Sequence, residues 1–525
     1  MNRNLALRLT EYARHRPDAP AIIAWQNRRY RTWTFAEVEL ASGHAADLLT
    51  RLGCSKGDVV LLWQPMSAAL YILMIGAWRA GLTVMFIDPG QPLAIREASA
   101  RMIQPAILAG PWIAHAWSMT TPTLRTLPRR ITTSGWWPRS LRLQSGPHPK
   151  QIIDPVWRDE DDPALITFTS GSTGQPKAIV RSHGFLARQH LAIHRELNLR
   201  EGQIDLTTMP IFLLANLGSG VTSVIPRGNM AKPGSIHARH VLELIRHAGI
   251  TRGGASPAFW ERLIQVPRHN REAMTGLREL YTGGGPVSID LLQRMQEAAP
   301  AGRIVAVYGS TEAEPIASAS REELVECLDF AEVMLPLGKP VSGVRVKVIP
   351  DRWGTPMRFT QEEELEALTL PPGIVGEIIV SGPLVIPGYW QGQGNDETKI
   401  HAGDTVWHRT GDAGCLDHHG GLWLAGRCSA KVAYQNRILY PFHIEVPARS
   451  IKGVRRVALA TPTHGICLAV ETDQPESIRE IERLLSGLGW PDIPVTRVSR
   501  IPVDRRHNTK VDYPRLSSLL SKRKR

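Results

Sequence analysis

The sequence predicts an α/β protein of more than one domain, and three observations carry that prediction. Strand-like and helix-like stretches alternate through the first half of the chain, the pattern of largely parallel strands with crossover helices. After about residue 330 the texture turns β-rich. The chain has 525 residues, more than one hydrophobic core organises. The expected layout is a large N-terminal domain of α/β subdomains plus a β-rich subdomain, residues 1–427, followed by a small mobile α+β C-terminal domain, residues 428–525.

The elements follow in order. "TWTFAEVELASGHAADLLTRLG" reads as a helix, with Thr34 and Glu37 at capping-box spacing and Gly53 as its stop. "GDVVLLWQP" is a buried strand, "AALYILMIGAWRAG" a helix and "TVMFIDP" the next strand. The rhythm resumes with the helix "RHVLELIRHAG" and "ITRGGASP" as strand into loop. "IDLLQRMQEAA" is a helix capped by Ser288, and "RIVAVYG" a strand. "GVRVKVI", "GEIIVSG" and "GLWLAGR" are the short strands of the β-rich part. Beyond it, "RRVALAT" and "ICLAVET" read as strands. "SIREIERLLSGLG" reads as a helix with Ser477 and Glu480 at capping-box spacing and Gly487 or Gly489 at its end.

Composition narrows the function classes. Hydrophobic content of 43% with 21% charged residues fits an ordinary folded protein, and no apolar run is long enough to span a bilayer. The first residues read as a surface helix, not as a signal peptide. Cys54, Cys327, Cys415, Cys428 and Cys467 form neither a metal spacing nor a disulfide framework, so a cytoplasmic location is expected. The net charge of +13 favours anionic partners. Much of it is local: residues 124–150 hold no acid, and the chain ends "SKRKR". No nucleic-acid-binding signature accompanies the charge, and a solvated surface is the ordinary reading of such runs.

"TFTSGSTGQPKAIVRSH", from Thr167 to His183, carries the chemistry. A Gly-rich loop between a strand and a helix turns backbone N–H groups toward phosphate oxygens, with hydroxyl donors and a lysine charge beside them. The Walker loop is excluded by spacing: Gly171 and Gly174 are only three apart, and Lys177 follows Pro176 and precedes Ala178. The dinucleotide pattern fails as well. "YTGGGPVS", "VYGSTEAEP", "GEIIVSGPLVIPGYW", "HRTGD", "GRCSAKV" and "RHNTKVDYPRL" follow in that order. Together these segments resemble the motif series of adenylate-forming enzymes, which include acyl-CoA synthetases, peptide-synthetase adenylation domains and firefly luciferase. The resemblance covers nearly the whole chain.

That resemblance implies ATP-dependent activation of a carboxylic acid as an acyl-adenylate with release of pyrophosphate, using Mg²⁺. It implies that Thr169, Ser170, Gly171, Ser172, Thr173, Gly174 and Lys177 cradle the β- and γ-phosphates. Gly284 and Gly285 would admit the base, and Tyr308, followed by Gly309 and Ser310, would stack on it. Thr311 would donate to the α-phosphate, Glu312 would hold Mg²⁺, and Asp412, with Arg427, would take the ribose hydroxyls. Lys510 would bring positive charge to the reacting phosphate and carboxylate. Singly, each has an ordinary structural role: a packed aromatic at a strand end for Tyr308, a turn for Asp412, a solvated charge for Glu312 and Lys510.

The chain also departs from the family. At the hinge, Ser429 and Ala430 stand where acyl-CoA synthetases carry paired aspartates; Ala433 replaces a lysine, and Asn436 a glycine. Asn tolerates the left-handed backbone such a turn needs. "VWHRTGD", "GRCSAKV" and "PVDRRHNTK" look more like the olefin β-lactone synthetase branch, which needs no thiol tunnel. "PIFLLANLGSGVTSVIP" resembles the acyl-pocket region of that branch, with Phe212, Leu214, Asn216 and Gly218 as lining; the alternative is that they pack a helix on the sheet. The expected substrate is a fatty or β-hydroxy fatty acid. The acceptor stays open between CoA, an acyl carrier protein and the substrate's own hydroxyl, and a non-catalytic nucleotide-binding protein is the remaining class.

Overall fold

The structure is a computed structural model that describes residues 2–143, 154–170, 175–230, 232–267, 269, 271–326, 330–463, 465–503 and 510–522. The chain divides into two compact units. The first comprises Met1–Arg227, Glu243–Gly254 and Ile386–Asn395; the second Gly228–Leu242, Ala255–Val385 and Asp396–Arg525. All five breaks between the units fall inside the expected 1–427 segment, and residues 428–525 stay whole within the second unit.

In the first unit, a seven-stranded sheet runs in the order Leu141–Arg142, Arg129–Thr132, Ile107–Gly110, Val59–Leu62, Thr83–Met85, Pro163–Ser170 and Pro176–Ser182. Every pair is parallel except the last. Around Pro20–Gln26, a further set of strands pairs in parallel with Thr222–Ile225 and antiparallel with Arg29–Thr34. The helix Phe35–Arg51 starts on the expected capping box at Thr34 and Glu37. Gly53 follows it at φ +73°, a left-handed position that favours glycine. Its buried side chains join those of Ala68–Arg79, Tyr71 and Trp78 among them, in one core.

The second unit carries the strand Glu279–Gly283 parallel to Arg303–Ser310, then Ala313–Ser320 and Leu335–Pro340 antiparallel. It continues through Leu422–Arg427, Thr405–Leu416, Gly376–Ser381 and Arg345–Ile349, all antiparallel, which is the expected β-rich part. Ser288 caps the helix Ile289–Ala298 as predicted, accepting the Leu291 N–H. At the C-terminal end lies a small α+β fold: Val454–Ala460, Cys467–Thr472 and Val495–Val498 form its sheet, with the helices Phe442–Arg449, Pro475–Gly487 and Tyr513–Lys522. One start signal is corrected. The helix expected from Ser477 begins at Pro475 after Gln474, and the Ser477 hydroxyl donates to the Lys452 carbonyl instead of capping. Proline at the first turn fixes φ and gives up an N–H that would have no partner there, so it outcompetes the spacing of Ser477 and Glu480.

Candidate active site

The Gly-rich tract is placed differently from the expectation. Pro163–Ser170 and Pro176–Ser182 form an antiparallel hairpin in which Thr169 faces Lys177 and Ser170 faces Pro176. The tract therefore joins two strands, and the next helix starts only at His183, with Ser182 as its N-cap. A helix dipole is not available at this loop. Donors must come from its backbone N–H groups, hydroxyls and Lys177. Gly171, Ser172, Thr173 and Gly174 lie outside the described residues, as does the Ser170 side chain. Lys177 is buried, its ammonium 5.7 Å from the Tyr389 ring centroid. Its stem lies against Gly394, where an added Cβ would come within 2.5 Å of Lys177 Cε.

The four acyl-pocket candidates lie on and just after the helix Pro210–Leu217. Phe212 is buried with its ring over Gly254, where no Cβ would fit. Leu214 is half-buried. Asn216 is buried and donates to Asp205 at 3.0 Å and Ser223 at 2.9 Å, while Asp205 pairs with Arg252 at 3.1 Å. Its amide thus ties the helix to the strands. Gly218 sits against His190, whose Nε2 would be 2.9 Å from an added Cβ.

In the second unit the predicted residues come together. The parallel pair Glu279–Gly283 and Arg303–Ser310 ends with Gly283 beside Val307. Gly284, at φ +78°, and Gly285 therefore emerge next to Tyr308, at the carboxyl end where α/β sheets bind ligands. The Tyr308 hydroxyl donates to Asp412 Oδ2 at 2.7 Å, and Arg427 donates to Asp412 Oδ1 at 2.9 Å and to the Thr410 carbonyl at 3.1 Å. Burial, then the Asp412 charge, holds the Tyr308 phenol well above its ordinary pKa, so it stays a neutral donor. The same carboxylate raises the pKa of Arg427. Each carboxylate oxygen accepts two hydrogen bonds, so Asp412 is oriented by two protein donors and keeps acceptor sites for a vicinal diol.

The strand period explains why "HRTGD" is a motif. Alternate residues face opposite sides of Thr405–Leu416. Arg409 turns inward, fully buried with Glu377 at 2.6 Å, and caps the Arg352 and Thr355 carbonyls. His408, Thr410 and Asp412 share the other face. Directly across the ladder from His408 stands Lys399, on that same face and only 2% exposed. Burial pushes its ammonium down to about 7, against the pull of the Glu312 charge. Sequence reasoning missed Lys399 because the alternation in "TKIHA" groups it with exposed His401.

Thr311 and Glu312 form the two-residue link between Arg303–Ser310 and Ala313–Ser320. The Ser310 hydroxyl accepts from the N–H groups of Glu312 and Ala313 at 3.3 and 3.2 Å, which fixes the turn. Among the described residues no cluster of three or more His, Cys, Asp or Glu could hold a metal ion. A single carboxylate with phosphate oxygens and water suits Mg²⁺, which seldom uses an all-protein cage.

After Arg427, Cys428–Ala430 makes one 3₁₀ turn with Ser429 exposed. The hairpin Val432–Tyr434 and Arg437–Leu439 turns through Gln435 at φ 49° and Asn436 at φ 60°, so Asn436 holds the left-handed backbone expected of it. Asp351, also missed in the sequence, anchors this segment: its buried carboxylate takes Lys431 at 2.7 Å and the Tyr440 hydroxyl at 3.0 Å. Lys510 is exposed, next to Val511, which bridges to Val503; residues 504–509 lie outside the described set.

Comparison with known proteins gives the same direction. The family model described as AMP-binding enzyme matches residues 9–390. The chain is similar to an olefin beta-lactone synthetase of Stenotrophomonas maltophilia, 28% identical with 98% of each chain covered. It is also similar to the fatty acid–[acyl-carrier-protein] ligase ScoC of Streptomyces coeruleorubidus, 26% identical over 90% of this chain and 88% of that one. In fold it resembles ATP-bound MatB from Rhodopseudomonas palustris, with a TM-score of 0.81, 21% identity and full coverage of both chains. A family model that spans residues 9–390, most of the chain, establishes that the protein belongs to the AMP-binding enzyme family of adenylate-forming ligases.

Proposed function

We propose that the protein activates a fatty or β-hydroxy fatty acid as its acyl-adenylate, and that with a β-hydroxy acid the substrate's own hydroxyl then closes a β-lactone. The observation that carries the nucleotide part is Asp412 held between Tyr308 and Arg427, beside Gly284 and Gly285. In this reading Asp412 takes the ribose hydroxyls, Tyr308 lies against adenine, and Thr169 to Gly174 with Lys177 hold the outer phosphates. Thr311 donates to the α-phosphate, and Glu312 holds Mg²⁺, which supplies neutralising charge on the phosphates when bound. A carboxylate oxygen attacks the α-phosphorus and the bond to pyrophosphate breaks. The carboxylate is a competent nucleophile at neutral pH, so the protein's work is positioning two anions and offsetting their charge, with Lys510 supplying a cation from a lid formed by residues 428–525.

The hinge supports closure. In the second step the β-hydroxyl oxygen attacks the acyl carbonyl, the bond to AMP breaks, and the hydroxyl proton passes to solvent. No thiol has to enter. Ser429 and Ala430 in place of the paired acids, and a hinge segment tied to Asp351 by Lys431 and Tyr440, suit a reaction that needs no thiol tunnel. Matching lengths with relatives named olefin beta-lactone synthetase support the same choice. A second reading, loading of an acyl carrier protein with CoA as the simpler thiol alternative, is favoured by the ScoC relative and the net charge of +13, which would attract an acidic carrier. Intact Lys177, Glu312, Asp412 and Lys510 argue against a non-catalytic nucleotide binder.

The test combines two readouts. Labelled pyrophosphate should exchange into ATP only when a suitable acid is present. Lys510→Ala should lose that exchange while still binding ATP; equal exchange in variant and parent would remove the role given to Lys510. With a β-hydroxy acid and no thiol, the product should be one water lighter than the acid. A thioester formed only on adding CoA or carrier protein would replace closure by the second reading.

A further inference from the structure

The acid-free basic segment and its paired tryptophans are not used by the chemistry above. The helix Trp112–Ser118 carries no acidic residue, no lysine and no arginine. Ala114, His115 and Ser118 face inward, while Trp112, Ile113 and Trp117 face out, half or nearly half exposed, with Met119 continuing the stripe at 44%. Burial of such side chains is the norm, and a contiguous exposed group of them marks a contact surface.

The excursion after Arg129–Thr132 adds to this face. The Trp112 N–H donates to the Ser134 carbonyl at 3.0 Å, and Gly135, at φ +76°, passes under the Trp112 ring so closely that a side chain would strike it. The two tryptophans that follow are treated differently. Trp137 stacks on buried His115, ring centroids 5.7 Å apart, and anchors the loop. Trp136 is thrown outward at 66% exposure, the most exposed large hydrophobic side chain among the described residues.

The segment that carries Trp136 and Trp137 is also strongly basic. Residues 124–150 hold five arginines, one lysine and no acid. Arg125, Arg139 and Arg142 are exposed, and among the described residues none of them forms an ion pair. Arginine hydrogen-bonds phosphate oxygens in pairs, and indole rings settle at the headgroup level of a bilayer with the N–H toward water. Among the described residues no helix is long and apolar enough to cross a membrane, and contact through exposed indoles and arginines would lie in the interface plane. A second copy on the same face would set the arginines against each other. We propose that Trp112, Ile113, Trp117, Met119 and Trp136, with Arg125, Arg139 and Arg142, form a docking surface for an anionic lipid bilayer.

The test is co-sedimentation of the purified full chain with vesicles of phosphatidylcholine alone or with about a third phosphatidylglycerol. The parent should pellet with the anionic vesicles, bind pure phosphatidylcholine at least about tenfold more weakly, and be released as salt rises. Joint replacement of Trp112, Trp117 and Trp136 by Ser should weaken binding about tenfold or more; Arg125, Arg139 and Arg142→Gln should remove the preference for anionic lipid. Both variants should keep the parent's acid-dependent pyrophosphate exchange with a short-chain acid. The single Trp136→Ser change keeps the test open if the triple variant does not fold. A parent that stays in the supernatant, or tryptophan variants that bind as the parent does, would overturn the proposal. So would a face that instead mediates self-association, or binds an acidic carrier protein, with no response to vesicles.

Discussion

Asp412 holds Tyr308 with one oxygen and Arg427 with the other. The arrangement spares the carboxylate the ordering cost of finding its geometry on binding, and it keeps the anion fixed within a strand whose other face is locked by buried Arg409 and Glu377. Asp412→Asn removes the charge and converts one acceptor oxygen to a donor, which either meets the guanidinium donor to donor or obliges the Tyr308 hydroxyl to turn round and accept. Charge-assisted hydrogen bonds contribute about 1.5–3 kcal/mol, so ATP binding should weaken by roughly ten- to a hundredfold. Tyr308→Phe removes one neutral donor and should cost about 1 kcal/mol. Calorimetric titration with ATP separates the two. Equal effects of both variants would mean that Asp412 serves only to position the tyrosine.

Elements show which features local sequence encodes. The helix Phe35–Arg51 was legible because its cap, its stop and its apolar face all lie within a few residues of each other. Ser288 and the strands on either side were legible for the same reason. The phosphate-loop residues were recognised, yet their hairpin was not, because "PKAIVRS" is a strand only through its ladder with Pro163–Ser170. Lys399 escaped because the local alternation groups it with exposed His401 while the ladder sets it opposite buried His408, and Asp351 because its partners Lys431 and Tyr440 lie eighty or more positions away. The segment after Arg427 gives a prediction at this scale. Asp351 is 3% exposed at its side chain and Lys431 30%, so breaking the pair leaves a lysine that can rehydrate but a Tyr440 hydroxyl without its acceptor. Asp351→Ala should therefore cost about 2 kcal/mol, less than loss of one partner from a wholly buried pair, and Tyr440→Phe about 1 kcal/mol. Urea denaturation followed at the C-terminal fold would measure both; an unchanged midpoint for Asp351→Ala would show that the segment is not anchored there.

At the scale of the molecule, stability is divided among separate cores. The C-terminal fold packs Leu439, Ile444, Leu468, Ile481, Leu485 and Trp490 into a cluster of its own, so the chain should unfold in more than one step. Inside that fold Glu445 is buried, accepting the Leu459 N–H at 2.8 Å and the Tyr513 hydroxyl at 3.0 Å. It links the helix Phe442–Arg449 to the last helix, Tyr513–Lys522. Burial pushes its carboxyl up to about 7, against the two hydrogen bonds and the Arg449 charge. The folded protein then binds more protons than the unfolded chain between the ordinary glutamate pKa and about 7. A raised carboxyl contributes stability that is complete below the unfolded pKa and is lost as pH rises through the folded one. Across that window the C-terminal fold should lose at most about 3 kcal/mol. Glu445→Gln cannot ionise, so its unfolding midpoint should be nearly flat where the parent's falls between pH 5 and 7.5. The variant should be the more stable at the upper end even if its buried amide costs it something at the lower. Thermal melts of both proteins across this range decide the matter. Parallel slopes would mean that Glu445 ionises without penalty and that the pH response of this fold lies elsewhere.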